Sequence, residues 1–91
     1  MREIVYSSRY KRDLKRMIKR GANLDLHDEA VMLLVSDAPL PERYHDHALV
    51  GDWKGFRELH IRPDWLLVYK KQGDFVLLLA ATGSHSDIFD L

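Results

Sequence analysis

Four of the five histidines in this 91-residue chain fall in two places. His45, His47 and His60 lie within the run from His45 to Asp64, and His85 follows Thr82-Gly83-Ser84. Asp64 closes the first stretch, and Trp53 and Trp65 sit within or beside it. Imidazole gives and takes protons near neutral pH, which other side chains do only when strongly perturbed. The chain has no cysteine, so thiolate nucleophiles, disulfides and Cys-ligated zinc drop out together. It also shows neither a nucleophilic-serine signature nor a phosphate-cradling glycine loop. What is left is acid–base work by imidazoles and a carboxylate. Cleavage of RNA suits those groups, because the 2′-hydroxyl is a nucleophile already in place. The protein then removes one proton, supplies another and stabilises the phosphorane. Two other uses of the same residues stay open. His45-x-His47 with His60, Asp64 and His85 could hold zinc or nickel, although the spacing matches no known ligand motif. Alternatively, each histidine holds a loop by hydrogen bonds. The reading expects no metal and no cofactor.

These side chains need a scaffold. Glu3-Ile4-Val5-Tyr6 is short, β-branched and aromatic, and reads as a strand. Ser7 or Ser8 can cap a first helix in which Tyr10, Leu14, Met17 and Ile18 form one apolar stripe, with Gly21 as its stop. Asn23 or Asp25 opens a second helix with Leu24, Val31, Leu34 and Val35 along its face, ended by the prolines at 39 and 41. His27, among polar neighbours, reads as an exposed bystander. Residues 42–55 read as an ordered loop around a buried Trp53, bracketed by Gly51 and Gly55. From Phe56 the period changes to two, so Phe56, Glu58 and His60 share one strand face. The runs Trp65–Tyr69 and Phe75–Ala80 are apolar almost throughout, as central strands covered on both sides are. Ser84 can cap a last helical turn reaching Ile88 and Phe89. The order β-α-α-β-β-β with a short helical tail gives an α+β fold, an antiparallel meander sheet with two helices on one face.

Treating Arg62-Pro63 and Gln72-Gly73 as two-residue hairpin turns fixes a register. It pairs Ile61 with Asp64, His60 with Trp65, Trp65 with Ala80 and Asp64 with Ala81. His60, Asp64 and His85 then meet at one end of the sheet.

The apolar and charged fractions, 46% and 31%, are those of a globular protein, and the length suits one domain over residues 1–91. No apolar run is long enough to span a membrane, and the opening MREIVYS is strand-like without a signal-peptide pattern. A cytoplasmic location is therefore permitted. The formal net charge of zero is unevenly spread. Residues 1–20 hold eight Lys/Arg against Glu3 and Asp13, a surplus of +6 that the other 71 residues cancel. Such a helix is either a solvated face or a footprint for a polyanion or an acidic partner.

The combined run from Asp46 to Lys70, with Gly51-Asp-Trp53-Lys-Gly55 and Arg57-x-x-His60-x-x-Pro63-Asp64-Trp65, followed by Thr82-Gly83-Ser84-His85 and Phe89, closely resembles the YafQ-type branch of the RelE toxins. That resemblance implies a RelE-like (microbial RNase-like) fold. It also implies the toxin half of a type II toxin–antitoxin pair, an endoribonuclease or mRNA interferase that cleaves mRNA on the ribosome and leaves a 2′,3′-cyclic phosphate. The implied partners are a DinJ- or RelB-like antitoxin in a heteromeric complex, and the 70S ribosome with its mRNA. Carried over by motif, the catalytic set is His47, His60, Asp64 and His85. His85 is the general acid, His47 or Asp64 the base, and His60 orients the phosphate. Trp65 and Phe89 belong to the substrate side, with Lys54, Arg57 and Arg62 as holders of mRNA phosphates. Lys11, Arg12, Lys15, Arg16 and Lys19 are the surface offered to ribosomal RNA or antitoxin. One position departs from the pattern: Ala81 stands where the family usually has arginine, which implies either an attenuated toxin or a substitution made so that a lethal protein could be produced. The related ParE toxins share the fold and inhibit gyrase without a histidine-rich site, so a ParE-like binding module is the competing reading.

Overall fold

The computed structural model describes residues 1–90. Strand β1 (Glu3–Tyr6) leads into helix α1 (Ser8–Lys19), whose first turn is capped by Ser7 Oγ accepting from the Tyr10 amide at 2.9 Å. Gly21, at φ +87, lets the Ala22 amide fold back onto the Met17 carbonyl at 3.0 Å and so closes that helix. Helix α2 (Leu24–Val35) begins under the Asn23 side chain, which accepts from the Asp25 amide at 2.9 Å.

The segment expected as a loop is more structured than that. Single 3-10 turns at Glu42–Tyr44 and Gly51–Trp53 flank a short strand β2 (His47–Ala48). Two residues are too few for alternation to register in sequence. Trp53, expected buried, is half-buried and meets Phe56 edge-on with ring centroids 5.4 Å apart. Strands β3 (Arg57–Arg62), β4 (Trp65–Gln72) and β5 (Val76–Gly83) follow, then helix α3 (His85–Phe89).

The five strands form one sheet in the order β1-β5-β4-β3-β2. From β2 to β5 it is the expected antiparallel meander. The expectation of an antiparallel sheet fails at β1, which pairs parallel to β5 from Glu3↔Val76 to Tyr6↔Leu79. The two helices separate β1 from the meander, and a crossover of that length returns the chain in the parallel sense that a hairpin forbids.

The expected register also fails. The first turn is Pro63-Asp64, flanked by Arg62↔Trp65, and a bulge then sets His60 opposite Leu66. The second loop is Gly73-Asp74-Phe75, between Gln72 and Val76, and another bulge at Val68/Tyr69 sets Leu66 opposite Gly83. Both turns sit one residue later than expected, which moves each pairing by two residues; the extra loop residue and the two bulges each change it by one, and no periodicity in the sequence marks them.

Helices α1 and α2 cover one face of the sheet, where Tyr10, Leu34 and Val35 pack on Leu59, Leu67, Tyr69, Leu77 and Leu79. The opposite face holds Leu66, Val68, Ala81 and Ile88 beneath Trp53, Phe56 and Phe89. Burial on both sides is why β4 and β5 carry unbroken apolar runs.

His27 is buried, 5% exposed, contrary to the bystander reading. Its Nε2 lies 2.5 Å from the Tyr10 hydroxyl and its Nδ1 2.9 Å from Asp28 Oδ1, while its ring stacks 6.4 Å from Trp65. Burial pushes the Tyr10 hydroxyl far above its ordinary pKa. Beside them, Asp13 accepts from the Thr82 amide at 3.1 Å, and Trp65 Nε1 donates to Thr82 Oγ1 at 2.9 Å. These bonds tie the start of β4 and the end of β5 to α1 and α2. Those two strand ends carry the candidate site.

Candidate active site

The register determines which side chains share the sheet face opposite α1 and α2. His47 pairs with Glu58, Glu58 with Val68 and Val68 with Ala81, so these four form one cross-strand row. His60 lies two residues beyond Glu58 on the same face, opposite Leu66, which in turn faces Gly83. Because β5 ends there, the next turn of chain brings His85 back over the same strand tip.

The imidazoles gather around His60. Its ring centroid lies 5.8 Å from that of His45, 6.1 Å from His47 and 5.7 Å from His85. Phe89 lies 6.5 Å beyond His85. A cleft bounded by His45, His60, Arg62 and Pro63 opens alongside.

Hydrogen bonds fix which nitrogen each ring presents. Asp64 Oδ1 accepts from both the amide and the Nδ1 of His85, at 2.9 and 2.6 Å, which leaves His85 Nε2 free. Those two bonds, the amide's first, hold the Asp64 carboxyl below its ordinary range. His47 Nδ1 donates to the His45 carbonyl at 2.8 Å, so its Nε2 is also free. His60 Nε2 donates to Glu58 Oε1 at 3.0 Å, and His47 Nε2 stands 3.6 Å from the same oxygen. Glu58 is 3% exposed, and its second oxygen, Oε2, is buried without a hydrogen-bond partner. Glu58 thus faces both imidazoles, with its Oε1 within 3.6 Å of each Nε2.

Helix α3 is anchored so that His85 stays in place. Ser84 and Asp87 form a capping box, with Ser84 Oγ accepting from the Asp87 amide at 3.1 Å and Asp87 Oδ2 from the Ser84 amide at 2.9 Å. Arg20, which caps the C-terminus of α1, donates to Asp87 Oδ2 at 2.6 Å, and this bond above all drives the Asp87 carboxyl far below the usual carboxylate range. Gly83 adopts φ +153, and a Cβ there would lie 2.8 Å from Asp87 Oδ2.

The remaining sequence-derived residues divide. Lys54 and Arg62 are exposed and free of ion pairs among the described residues. Arg57 is a structural clamp instead of a free phosphate holder, since it grips Asp46 at 2.8 Å while the Tyr69 hydroxyl donates to the same carboxylate at 2.5 Å. Trp65 is 4% exposed, bonded to Thr82 and stacked on His27, so it cannot stack on a substrate base. Ala81 is wholly buried against Leu66, Val68 and Ile88 and presents no donor. On α1, Lys11, Arg12, Lys15, Arg16 and Lys19 are all exposed, and Arg16 also pairs with the buried Asp13 at 3.2 Å.

The model of the family described as the bacterial toxin of type II toxin-antitoxin system, YafQ, matches residues 2–90. The chain belongs to the YafQ family. Its relatives include the mRNA interferase toxin YafQ of Escherichia coli strain K12, 40% identical over 89 residues that cover 97% of this chain and 96% of that protein. Among solved structures, the toxin of the E. coli DinJ–YafQ toxin–antitoxin complex superposes with a TM-score of 0.88 at 40% identity, over 97% of both chains. A metal-bound toxin from Helicobacter pylori superposes with a TM-score of 0.90 at 42% identity, over 98% of this chain and 100% of that one. The α+β fold is thus that of the YafQ toxins, within the RelE-like class.

Glu58 is the site residue that sequence reasoning passed over. Its signal was present: an acid two residues before His60 on a period-two strand must share that histidine's face.

Proposed function

We propose that this chain is the toxin of a type II toxin–antitoxin pair and cleaves mRNA on the ribosome by acid–base catalysis. The observation that carries the reading is the convergence of His45, His47 and His85 on His60, with Asp64 and Glu58 behind them. The E. coli relative is named an mRNA interferase, which is the endoribonuclease activity these groups suit.

In this mechanism His85 Nε2 protonates the departing 5′-oxygen while Asp64 holds the ring. The base is His47. Asp64 Oδ1 is already engaged twice by His85, whereas His47 Nε2 has only a distant approach to Glu58. His60, between the two, orients the phosphate, and Glu58 balances the charge as His47 takes the 2′-proton. Phe89 shapes the pocket beside His85. Lys54 and Arg62 are the free cations left to hold mRNA phosphates. With Ala81 in place of arginine, the phosphorane lacks a donor of the kind whose removal slows catalysis about 10²–10³-fold.

The DinJ–YafQ complex supports a DinJ-like antitoxin as partner. Lys11, Arg12, Lys15 and Lys19 form the basic face offered to ribosomal RNA or to acidic residues of that antitoxin. No helix among the described residues is long and apolar enough to cross a membrane, and a protein acting on translating ribosomes works in the cytoplasm.

Primer extension on mRNA from expressing cells tests the proposal. Breaks within translated codons, suppressed by co-expressed antitoxin, are the expected result. Intact mRNA with gyrase-linked DNA breaks would establish the ParE-like reading instead.

A further inference from the structure

We propose that Asp13, the one acidic residue of helix α1, is a positioning residue for the nuclease. By holding the Thr82 amide it fixes where the chain leaves β5, and so where His85 stands. Its effect on catalysis runs through the acid role proposed for His85 above.

Between Ser8 and Lys19 the helix carries six Lys/Arg and a single Asp. Lys11, Arg12, Lys15 and Lys19 are exposed, as a solvated face is, but Asp13 is only 4% exposed. Burying a carboxylate is costly unless its oxygens are paired and hydrogen-bonded. Here Oδ2 accepts from the Thr82 amide at 3.1 Å and from Arg9 Nε at 3.3 Å, and Oδ1 accepts from Arg16 at 3.2 Å. Arg9 also donates to the Asp87 carbonyl at 3.1 Å. Asp13 therefore holds the chain on both sides of Gly83, directly at Thr82 and through Arg9 at α3.

The topology explains why a side chain grips Thr82. Strand β1 ends at Tyr6, opposite Leu79, and the chain there turns into α1. The edge of β5 beyond that point is met by the start of the helix. The Ser7 amide donates to the Leu79 carbonyl at 3.0 Å, Ser7 Oγ to the Ala80 carbonyl at 2.8 Å, and Asp13 receives the Thr82 amide. Towards β4, Thr82 Oγ1 donates to the Leu66 carbonyl at 2.6 Å, and pairing continues as far as Gly83. His85 follows two residues later, and its amide and Nδ1 must reach the same Asp64 oxygen. Any shift of the strand end moves that imidazole against the scissile phosphate, and an error of about 1 Å costs a reaction up to about 10²-fold.

Two substitutions in the full-length chain separate the acceptor from its charge. Asp13→Asn keeps an oxygen opposite the Thr82 amide and drops the charge, while Arg16 retains an acid 4.0 Å away in Asp87. Asp13→Glu keeps the charge and moves the acceptor by one methylene. On ribosome-bound mRNA, Asp13→Glu should lower kcat about 10–10²-fold with KM little changed, and Asp13→Asn should stay within about threefold of wild type. In a His85→Ala background Asp13→Glu should cost no further rate, because the group it places is gone. Amide hydrogen exchange, read by NMR, should quicken at Thr82 and His85 in Asp13→Glu and stay unchanged in Asp13→Asn. Full activity in Asp13→Glu, a slowed Asp13→Asn, or the same loss with and without His85 would overturn the proposal. If circular dichroism shows Asp13→Glu unfolded, Asp13→Asn decides: wild-type kcat and exchange support the acceptor role, and a slowed kcat overturns it. Should His85→Ala itself cleave as fast as wild type, the acid role of His85 is what fails, and the exchange rates still decide whether Asp13 holds the strand end.

Discussion

Asp64 Oδ1 accepts two hydrogen bonds from one residue, the backbone amide and the Nδ1 of His85, at 2.9 and 2.6 Å. A turn residue between β3 and β4 thereby sets both the position and the tautomer of the first residue of α3. The pair makes Asp64 a positioning residue, acting on RNA only through His85.

Asp64→Ala is accordingly expected to lower kcat by up to about 10²-fold, the lower end of what a well-placed general acid supplies, with KM nearly unchanged. Because the folded carboxyl titrates below its ordinary value of 3.8, its contribution to holding His85 is present above that value. It is lost only as the pH falls through the lower folded value. The wild-type rate profile between about pH 5 and 9 should then carry no limb from Asp64. Steady-state kinetics against pH checks this, and a fall confined to KM would contradict it.

Asp87 ties α3 to α1 through Arg20 and closes the capping box on Ser84. Asp87→Ala should cost about 1–2 kcal/mol at neutral pH, a lost cap together with a lost charge-assisted bond. The folded carboxyl is strongly depressed, so this stabilisation is complete above the unfolded value of 3.8 and disappears as the pH falls through the folded one. Urea melts of both proteins should diverge at pH 7 and converge in strong acid. A constant gap at all pH values would show that the carboxylate charge is not responsible.

Gly83→Ala tests the same joint sterically. At φ +153 an added Cβ falls 2.8 Å from Asp87 Oδ2 and 2.9 Å from its Cβ, so the cap must move. Lower thermal stability and lower cleavage should appear together, and a variant losing neither would show that α3 tolerates displacement.

The core chemistry offers a further check. His27→Phe keeps a ring against Trp65 but leaves the buried Tyr10 hydroxyl without its partner, a loss of about 1–3 kcal/mol. Denaturant midpoints measure it. A change under about 0.5 kcal/mol would mean that the Tyr10–His27 contact contributes little.

Much of this architecture was legible in the chain. The stripe from Tyr10 to Met17 and the apolar runs of β4 and β5 marked the helix and the covered strands, because one face of each must leave water. The clustering of His60, Asp64 and His85 could be anticipated even though the register was wrong. Strand direction alone returns β5 to the Pro63-Asp64 end, and a slip of several residues leaves it there. What sequence could not carry were features decided by tertiary packing. The parallel pairing of β1, the bulges after His60 and Val68, and the burial of His27 among polar neighbours all depend on where two helices land. Trp65 was drawn into the substrate side by its place in the motif, and only its bond to Thr82 reveals it as core.

The role of His85 can be measured without disturbing the rest of the site. A ribosome-bound mRNA with sulfur replacing the bridging 5′-oxygen at the scissile linkage has a leaving group that needs no proton. His85→Ala should cut the ordinary mRNA about 10²–10⁴-fold more slowly than wild type, yet cut the sulfur-substituted one within about tenfold of it. Equal losses on both substrates would contradict proton donation by His85.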